Sequence, residues 1–357
     1  MRCRYCFYHD VSEHRENPSY GIMKWDLMEK MIENIHKDLA DKDEITIAFQ
    51  GGEPTLAGLP WFQHFVESMG LYNKKVKINY ALQTNGILID DSWGEFLNQH
   101  NFLTGLSIDA NVKLHDSIRV DTQGKGTYDA CLKSKAILEK HKAEYNVLCV
   151  LTNELAAEPD KVWRFILREK IRFIQFIPCL AGFNEKGPSP FALTPARFAS
   201  FYVRLYYWWM KELENGRYYS VKFFDDTAHY FFRGVPSSCG INGRCHAQYV
   251  VEADAGVYPC DFYVLDQYNT GKLTEHTLSE LFESSVMQAF LREERSLPEL
   301  CKSCSYINYC NGGCKRMNSV MYFGAPESPS FGSVCGYKMF LDKCLKPLEH
   351  IVRRYFS

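Results

Sequence analysis

Long apolar runs are missing from this 357-residue chain. No uninterrupted stretch of about 18 apolar residues occurs, so a membrane-spanning helix is not expected. An apolar leader is missing too. The chain opens Met1-Arg2-Cys3-Arg4, without the hydrophobic segment of a signal peptide, and a cytoplasmic location is expected. An excess of charge of either sign is missing: the net of −2 argues against a protein that coats nucleic acid. Cysteine, by contrast, is abundant, at 14 residues. A reducing compartment disfavours disulfides, so metal binding is the better explanation for so many thiols. The length allows two domains or one large one, and 46% hydrophobic residues can furnish a core.

Helical and strand patterns alternate through the first two thirds. Trp25, Met28, Met31, Ile32, Ile35 and Leu39 fall at helical spacing, and Ile45–Phe49 follows as a short buried-strand pattern. Helix is expected over Phe62–Met69, Trp93–Leu97, Tyr128–His141 and Val162–Glu169, with strand over Val76–Leu82, Leu103–Ile108, Tyr145–Leu151 and Arg172–Ile177. A long aromatic helix should run from Pro195 to about Leu213. Such alternation implies a parallel α/β sheet. Five strands are counted. A segment ahead of Cys3 is expected to supply a sixth. Gly51, Thr84, Asp109 and Pro178 come just after strand ends, where ligand sites of such sheets lie.

After about Tyr218 the rhythm stops and cysteines crowd in. Cys239, Cys245 and Cys260 are followed by Cys301-x2-Cys304-x5-Cys310-x3-Cys314 and then Cys335. Val250–Pro259 reads as a hairpin with an Asp254-Ala255-Gly256 turn. Eight cysteines are enough for two fully ligated iron–sulfur clusters, and four-cysteine zinc sites remain the rival on spacing alone. Cys131, Cys149 and Cys179 are isolated and fit core packing. Cys344 is spare and lies in a closing helix expected from about Tyr337 to Arg354.

Five segments carry a resemblance: Cys3–Tyr8 (Cys-Arg-Tyr-Cys-Phe-Tyr), Phe49–Gly58 with its Gly51-Gly52-Glu53-Pro54 turn, Leu82–Gly86, Ser107–Asp109, and Tyr258–Tyr263 with Cys260-Asp261. They resemble the radical S-adenosylmethionine (SAM) enzymes with a SPASM domain, and most of all the anaerobic sulfatase-maturating enzymes. The resemblance implies a partial (β/α)6 barrel, first strand missing, over 1–217, a SPASM domain over 218–335, and a C-terminal helix over 336–357. Cys3 and Cys6 match the second and third cysteines of the family's C-x3-C-x2-C motif, and Tyr5 its aromatic. The first cysteine would fall before Met1, so a truncated start is expected, with activity of the chain as written open to question.

Further roles follow from the same resemblance. Three [4Fe–4S] clusters are implied, one binding SAM and two auxiliary. Cys239, Cys245, Cys260 and Cys314 would hold the first auxiliary cluster, and Cys301, Cys304, Cys310 and Cys335 the second. Gly51, Gly52 and Glu53 would hold the SAM amino group. Ser107 and Asp109 would contact its ribose. On the residues alone, Ile177 could supply an apolar wall for adenine, and Arg119 could pair with a carboxylate of SAM or substrate. The implied reaction oxidises a cysteine or serine, in a C/S-x-P-x-R motif of an unfolded or nascent sulfatase, to Cα-formylglycine. Asp261 is expected as the base, with Tyr8 lining the substrate cleft and a ferredoxin or flavodoxin as electron donor. Another SPASM peptide modifier, forming thioethers or crosslinks, is the alternative enzyme.

Overall fold

Residues 1–72, 74–183, 189–324 and 332–355 are described by the computed structural model, with only the backbone for Arg2 and residues 353–355. Among the described residues ten strands follow in chain order: β1 Arg2–Cys3, β2 Glu44–Phe49, β3 Lys77–Thr84, β4 Phe102–Ser107, β5 Arg119–Val120, β6 Tyr145–Leu151, β7 Phe173–Pro178, β8 Ser220–Val221, β9 Val250–Val251 and β10 Val257–Tyr258. Six of them form one parallel sheet in the order β2-β3-β4-β6-β7-β8. Each parallel strand lies beside the next parallel strand in the chain. There is no reversal of order, and so none of the switch points that mark a doubly wound sheet.

The helices of the sheet layer come before, between and after its strands. They are α1 Phe7–Glu13, α2 Trp25–Asp38, α3 Leu59–Gly70, α4 Asp91–Gln99, α5 Val112–Ile118, α6 Tyr128–Lys140, α7 Pro159–Arg168, α8 Pro195–Glu214 and α9 Lys222–Arg233. On α2 the expected stripe Met28, Met31, Ile32 and Ile35 is the buried one. Asp90 starts α4 by accepting a hydrogen bond from the Trp93 N–H at 3.0 Å, and Pro159 occupies the first turn of α7, where its missing N–H costs nothing. The core runs from Phe62, Phe102 and Val147 through Phe198, Tyr202 and Phe224 to Phe340. Phe340 belongs to the C-terminal helix Gly336–Tyr355 and stacks on Phe224 of α9 with ring centres 5.9 Å apart.

Two expectations change here. The sheet has a sixth strand that was not among the five counted, Ser220–Val221, which pairs with Phe173–Ile174. The sheet layer therefore runs past residue 217, where the rhythm was expected to stop. Arg2–Cys3 instead forms an antiparallel ribbon with Arg119–Val120, Cys3 opposite Arg119, outside the parallel sheet. The expected hairpin is present as β9 and β10, Val251 opposite Val257. Its left-handed residue is Ala255, at φ 66°, rather than the glycine beside it.

Candidate active site

The first thiols are placed by local backbone bonds. Cys6 N–H donates to the Cys3 carbonyl at 3.2 Å, and Arg4 N–H donates to Ile118 O at 3.2 Å. The loop is thereby tied to the strand carrying Arg119. Burial raises the Cys3 thiol, and the Arg119 charge pulls it back toward thiolate. Tyr5 of this loop reaches the carboxyl end of β4, where it bonds Asp109. Gly51, at φ 122°, and Gly52 follow β2. A side chain built at either glycine would meet nothing within 4 Å, so the backbone there is open to a ligand. Ser107 ends β4 and Ile177 lies near the end of β7, both half-buried.

Tyr5, Asp109 and Arg119 form one buried network. The Tyr5 hydroxyl donates to Asp109 Oδ2 at 2.5 Å, and Arg119 Nη1 donates to the Tyr5 oxygen at 2.9 Å. Asp109 Oδ1 accepts from Val150 N–H at 3.0 Å. Burial raises the Asp109 carboxyl, while Arg119, Tyr5 and the Val150 amide offset part of that. Both Asp109 oxygens are engaged, which turns the carboxylate inward and leaves Ser107 as the half-buried side chain of that segment. Glu53 is engaged too. Its Oε1 accepts from Thr55 Oγ1 at 2.6 Å and Thr84 Oγ1 at 2.7 Å, and its Oε2 from Asn85 N–H at 2.8 Å. The expected contact residue thus clamps the β2 exit to the β3 exit. Arg119 keeps one unpartnered group: its buried Nε–H has no hydrogen-bond acceptor among the described residues. An open glycine backbone and an orphaned buried donor fit an anionic or zwitterionic ligand at this rim.

The opposite wall comes from the C-terminal part. Val11 of α1 packs with Tyr258, Val264 and Leu265, and Phe7 lies 5.1 Å from Phe262, centre to centre. Arg15 pairs with Glu252 at 3.2 Å. This apolar and ionic seam brings Asp261 up to the first cysteine loop. Burial raises the Tyr8 phenol, with Asp261, Cys6, Glu252 and Cys260 as further causes. Tyr8 therefore sits within electrostatic reach of a thiol from each region and of the carboxylate. Burial raises the Asp261 carboxyl, and the Cys260 thiol and Phe262 N–H offset this. Asp10 and Arg316 lie beside them. Asp10 accepts from Phe183 N–H at 3.1 Å. Arg316 donates to Ala181 O at 2.8 Å and lies 4.4 Å above the Phe183 ring. Neither stands in a recognisable motif, so sequence reasoning had no signal for either.

The eight C-terminal thiols separate into two groups. Burial raises Cys239 to about 11, and Cys314 and Cys245 add to it. Burial also raises Cys260, with Asp261, Cys314 and Cys239 adding. In the other group burial raises Cys301 to about 11, with Cys310 and Cys304 adding, and Cys335 to about 12, with Cys310 and Cys301 adding. Buried thiols held this high need a strong positive partner to become ligands. A zinc ion needs sulfurs about 2.3 Å from one point. Among the described residues no three His, Cys, Asp or Glu side chains are arranged to hold a single ion. Cys131, Cys149, Cys179 and Cys344 are buried.

Residues 239–305 match the SPASM family, an iron–sulfur cluster-binding domain. The zinc reading gives way to that match. The cysteine-type anaerobic sulfatase-maturating enzyme of Clostridium novyi is 35% identical over 99% of this chain and 94% of its own length. The chain belongs to the anaerobic sulfatase-maturating enzymes. The cysteine-type enzyme of Clostridium perfringens strain ATCC 13124 is 39% identical over 88% of this chain and 85% of its own. The serine-type enzyme of Klebsiella aerogenes is 31% identical over 99% and 84%. The solved structure of anSMEcpe with bound AdoMet and Kp18Cys peptide superposes with a TM-score of 0.89 at 36% identity, covering 99% of this chain and 96% of that one. Streptococcus suis SuiB with S-adenosylmethionine shares the fold, at a TM-score of 0.57 and 18% identity over 88% of this chain and 69% of that one. As a member of this family, the chain is a radical SAM enzyme that generates formylglycine from cysteine or serine. Among the described residues no helix is long and apolar enough to cross a membrane.

Proposed function

We propose that Asp261 is the base of this reaction, acting on a sulfatase cysteine or serine side chain held between Tyr8 and the Cys260-bearing turn. Cys3 and Cys6 would hold the SAM-binding cluster, and the two thiol groups would hold two auxiliary [4Fe–4S] clusters. The Gly51-Gly52 backbone, Ser107, Ile177 and the free Arg119 Nε–H would receive SAM. Glu53, Tyr5 and Asp109 keep that rim in shape. When bound, these groups supply the one-electron chemistry: removal of a hydrogen atom from the substrate Cβ, and acceptance of the second electron by the auxiliary cluster that Cys260 would hold beside Asp261. Asp261 accepts the proton of the substrate thiol or hydroxyl. Its half-buried position excludes most water, and Tyr8 confines the side chain beside it. A small ferredoxin or flavodoxin is the proposed electron donor.

One observation carries this reading: the seam of Phe7, Val11 and Arg15 holds Asp261 and the first cysteine loop on facing walls of one site. Asp261→Asn keeps the shape and removes the base. It should lower formylglycine formation by roughly 10²–10⁴-fold while SAM cleavage to 5′-deoxyadenosine continues. Formylglycine at the native rate in that variant would remove Asp261 from the mechanism. Likeness is higher to the cysteine-type enzymes, at 35% and 39%, than to the serine-type enzyme at 31%. Cysteine is therefore the favoured target, and a higher kcat/KM on a serine peptide than on its cysteine twin would reverse that.

A further inference from the structure

The two thiol groups touch through their loops. A side chain built at Gly243 would come 2.4 Å from the Cys310 carbonyl oxygen, and one at Gly240 would come 2.6 Å from Cys314 Cβ. The loop between Cys239 and Cys245 is thus packed, backbone against backbone, on the loop between Cys310 and Cys314. Asn311 Nδ2 donates across the seam to Asn242 O at 3.0 Å. One further side chain closes it. Arg295 Nη1 donates to Gly313 O at 2.6 Å, while its Nη2 donates to Gly243 O at 2.8 Å and to Asn311 O at 3.0 Å. Burial raises the Cys310 and Cys314 thiols, and Arg295 is among the groups that pull each back. These two thiols belong to different groups.

We propose that Arg295 is a positioning residue common to both thiol groups, clasping their loops together and placing one fixed positive charge between them. The proposal rests on reading the two groups as cluster sites. A guanidinium suits the task because its planar fork reaches carbonyls in several directions and stays charged at any working pH. A lysine ammonium would keep the charge without the fork. A cation placed there favours the more negative, reduced state of whatever either group holds. Both midpoint potentials would then be raised together by one residue.

The test compares native protein with Arg295→Lys and Arg295→Met. Hydrogen exchange of the iron-loaded protein reads the clasp. Reductive titration followed by electron paramagnetic resonance, after loading, reads the charge. Both variants should exchange the amides of 240–244 and 311–313 about tenfold faster than native. Arg295→Lys should keep both potentials near native, and Arg295→Met should move both to more negative values. Native-like exchange in both variants overturns the clasp. Unchanged potentials in Arg295→Met, or movement of only one, overturn the shared charge. If Arg295→Met takes up no iron, Arg295→Gln, neutral yet able to donate, replaces it under the same criteria. If the native chain itself takes up no iron, the cluster reading fails instead, and the same exchange comparison on the unloaded chain decides the clasp.

Discussion

The two walls of the site are held by different physics. The parallel sheet stands on apolar burial: Leu82, Phe102, Leu106, Val147 and Ile174 are all within a few per cent of complete burial, under helices of up to 20 residues. From Cys239 to Tyr322 the chain has two strands of two residues each, and its α-helices span four to eight residues. Helices that short do not stand alone in water. Two of the buried side chains there are themselves thiols, Cys301 and Cys310. The sheet should therefore fold without metal, and the cysteine loops should not.

Iron removal is the hardest strain on this contrast. In chelated, reduced protein the amides of 239–245 and 301–324 should lose most of their protection, while those of β3, β4 and β6 keep theirs. Uniform loss, read by hydrogen exchange and mass spectrometry, would mean that the sheet also depends on the clusters. Single thiols divide the same way. Cys310→Ser should lose about four irons per chain, whereas Cys131→Ser, in the sheet core, should lose none. Phe340→Ala probes the place where the two regions meet, on α8 and α9. A buried phenylalanine cut to alanine costs about 3–5 kcal/mol, and urea unfolding should show that cost in loaded and unloaded chain alike.

A titration separates the regions on a smaller scale. His115, buried beneath the Asp109 network, accepts from Asp109 N–H through Nδ1 at 3.1 Å, with Nε2 3.2 Å from Thr127 Oγ1. Burial, aided by the Arg119 charge, lowers its pKa to about 3. In the unfolded chain the value is about 6.5. Below that the unfolded state binds a proton that the folded state refuses, so stability falls as pH drops from 6.5 toward 3. By pH 5 the loss from this residue is at most about 2 kcal/mol. Replacing His115 by Gln should flatten that slope; an unchanged slope would show that other groups set it.

The sheet was far easier to read than the cysteine loops, for the same reason that it is easier to fold. Strands of six to eight residues announce themselves by periodicity, and Tyr145–Leu151 is bounded as expected. Ser220–Val221 is too short to show any period. The Arg2–Cys3 ribbon is a pairing of distant residues with no pattern of its own. Glu53 stood out in its motif, but its work as a clamp depends on Thr84 and Asn85 from the next strand. Spacing exposed the eight thiols without dividing them into groups, because the division is made by loops crossing in space. Arg295 left no trace, since its partners are carbonyls that every residue carries.

The border between the regions can be placed more finely through Thr277. Its hydroxyl accepts from Glu280 N–H at 3.3 Å, and Glu280 Oε2 accepts from Thr277 N–H at 2.8 Å, a reciprocal cap on the helix Leu278–Phe282. That helix lies in the cysteine-rich part of the chain, yet Leu281 and Leu273 pack with Met28, Ile32 and Ile35 of α2. Apolar contact with the sheet layer, rather than iron, should hold it. Thr277→Ala should then cost about 1 kcal/mol whether or not iron is bound. A cost seen only in the loaded chain would assign this segment to the cluster-held region and move the border upstream of Leu273.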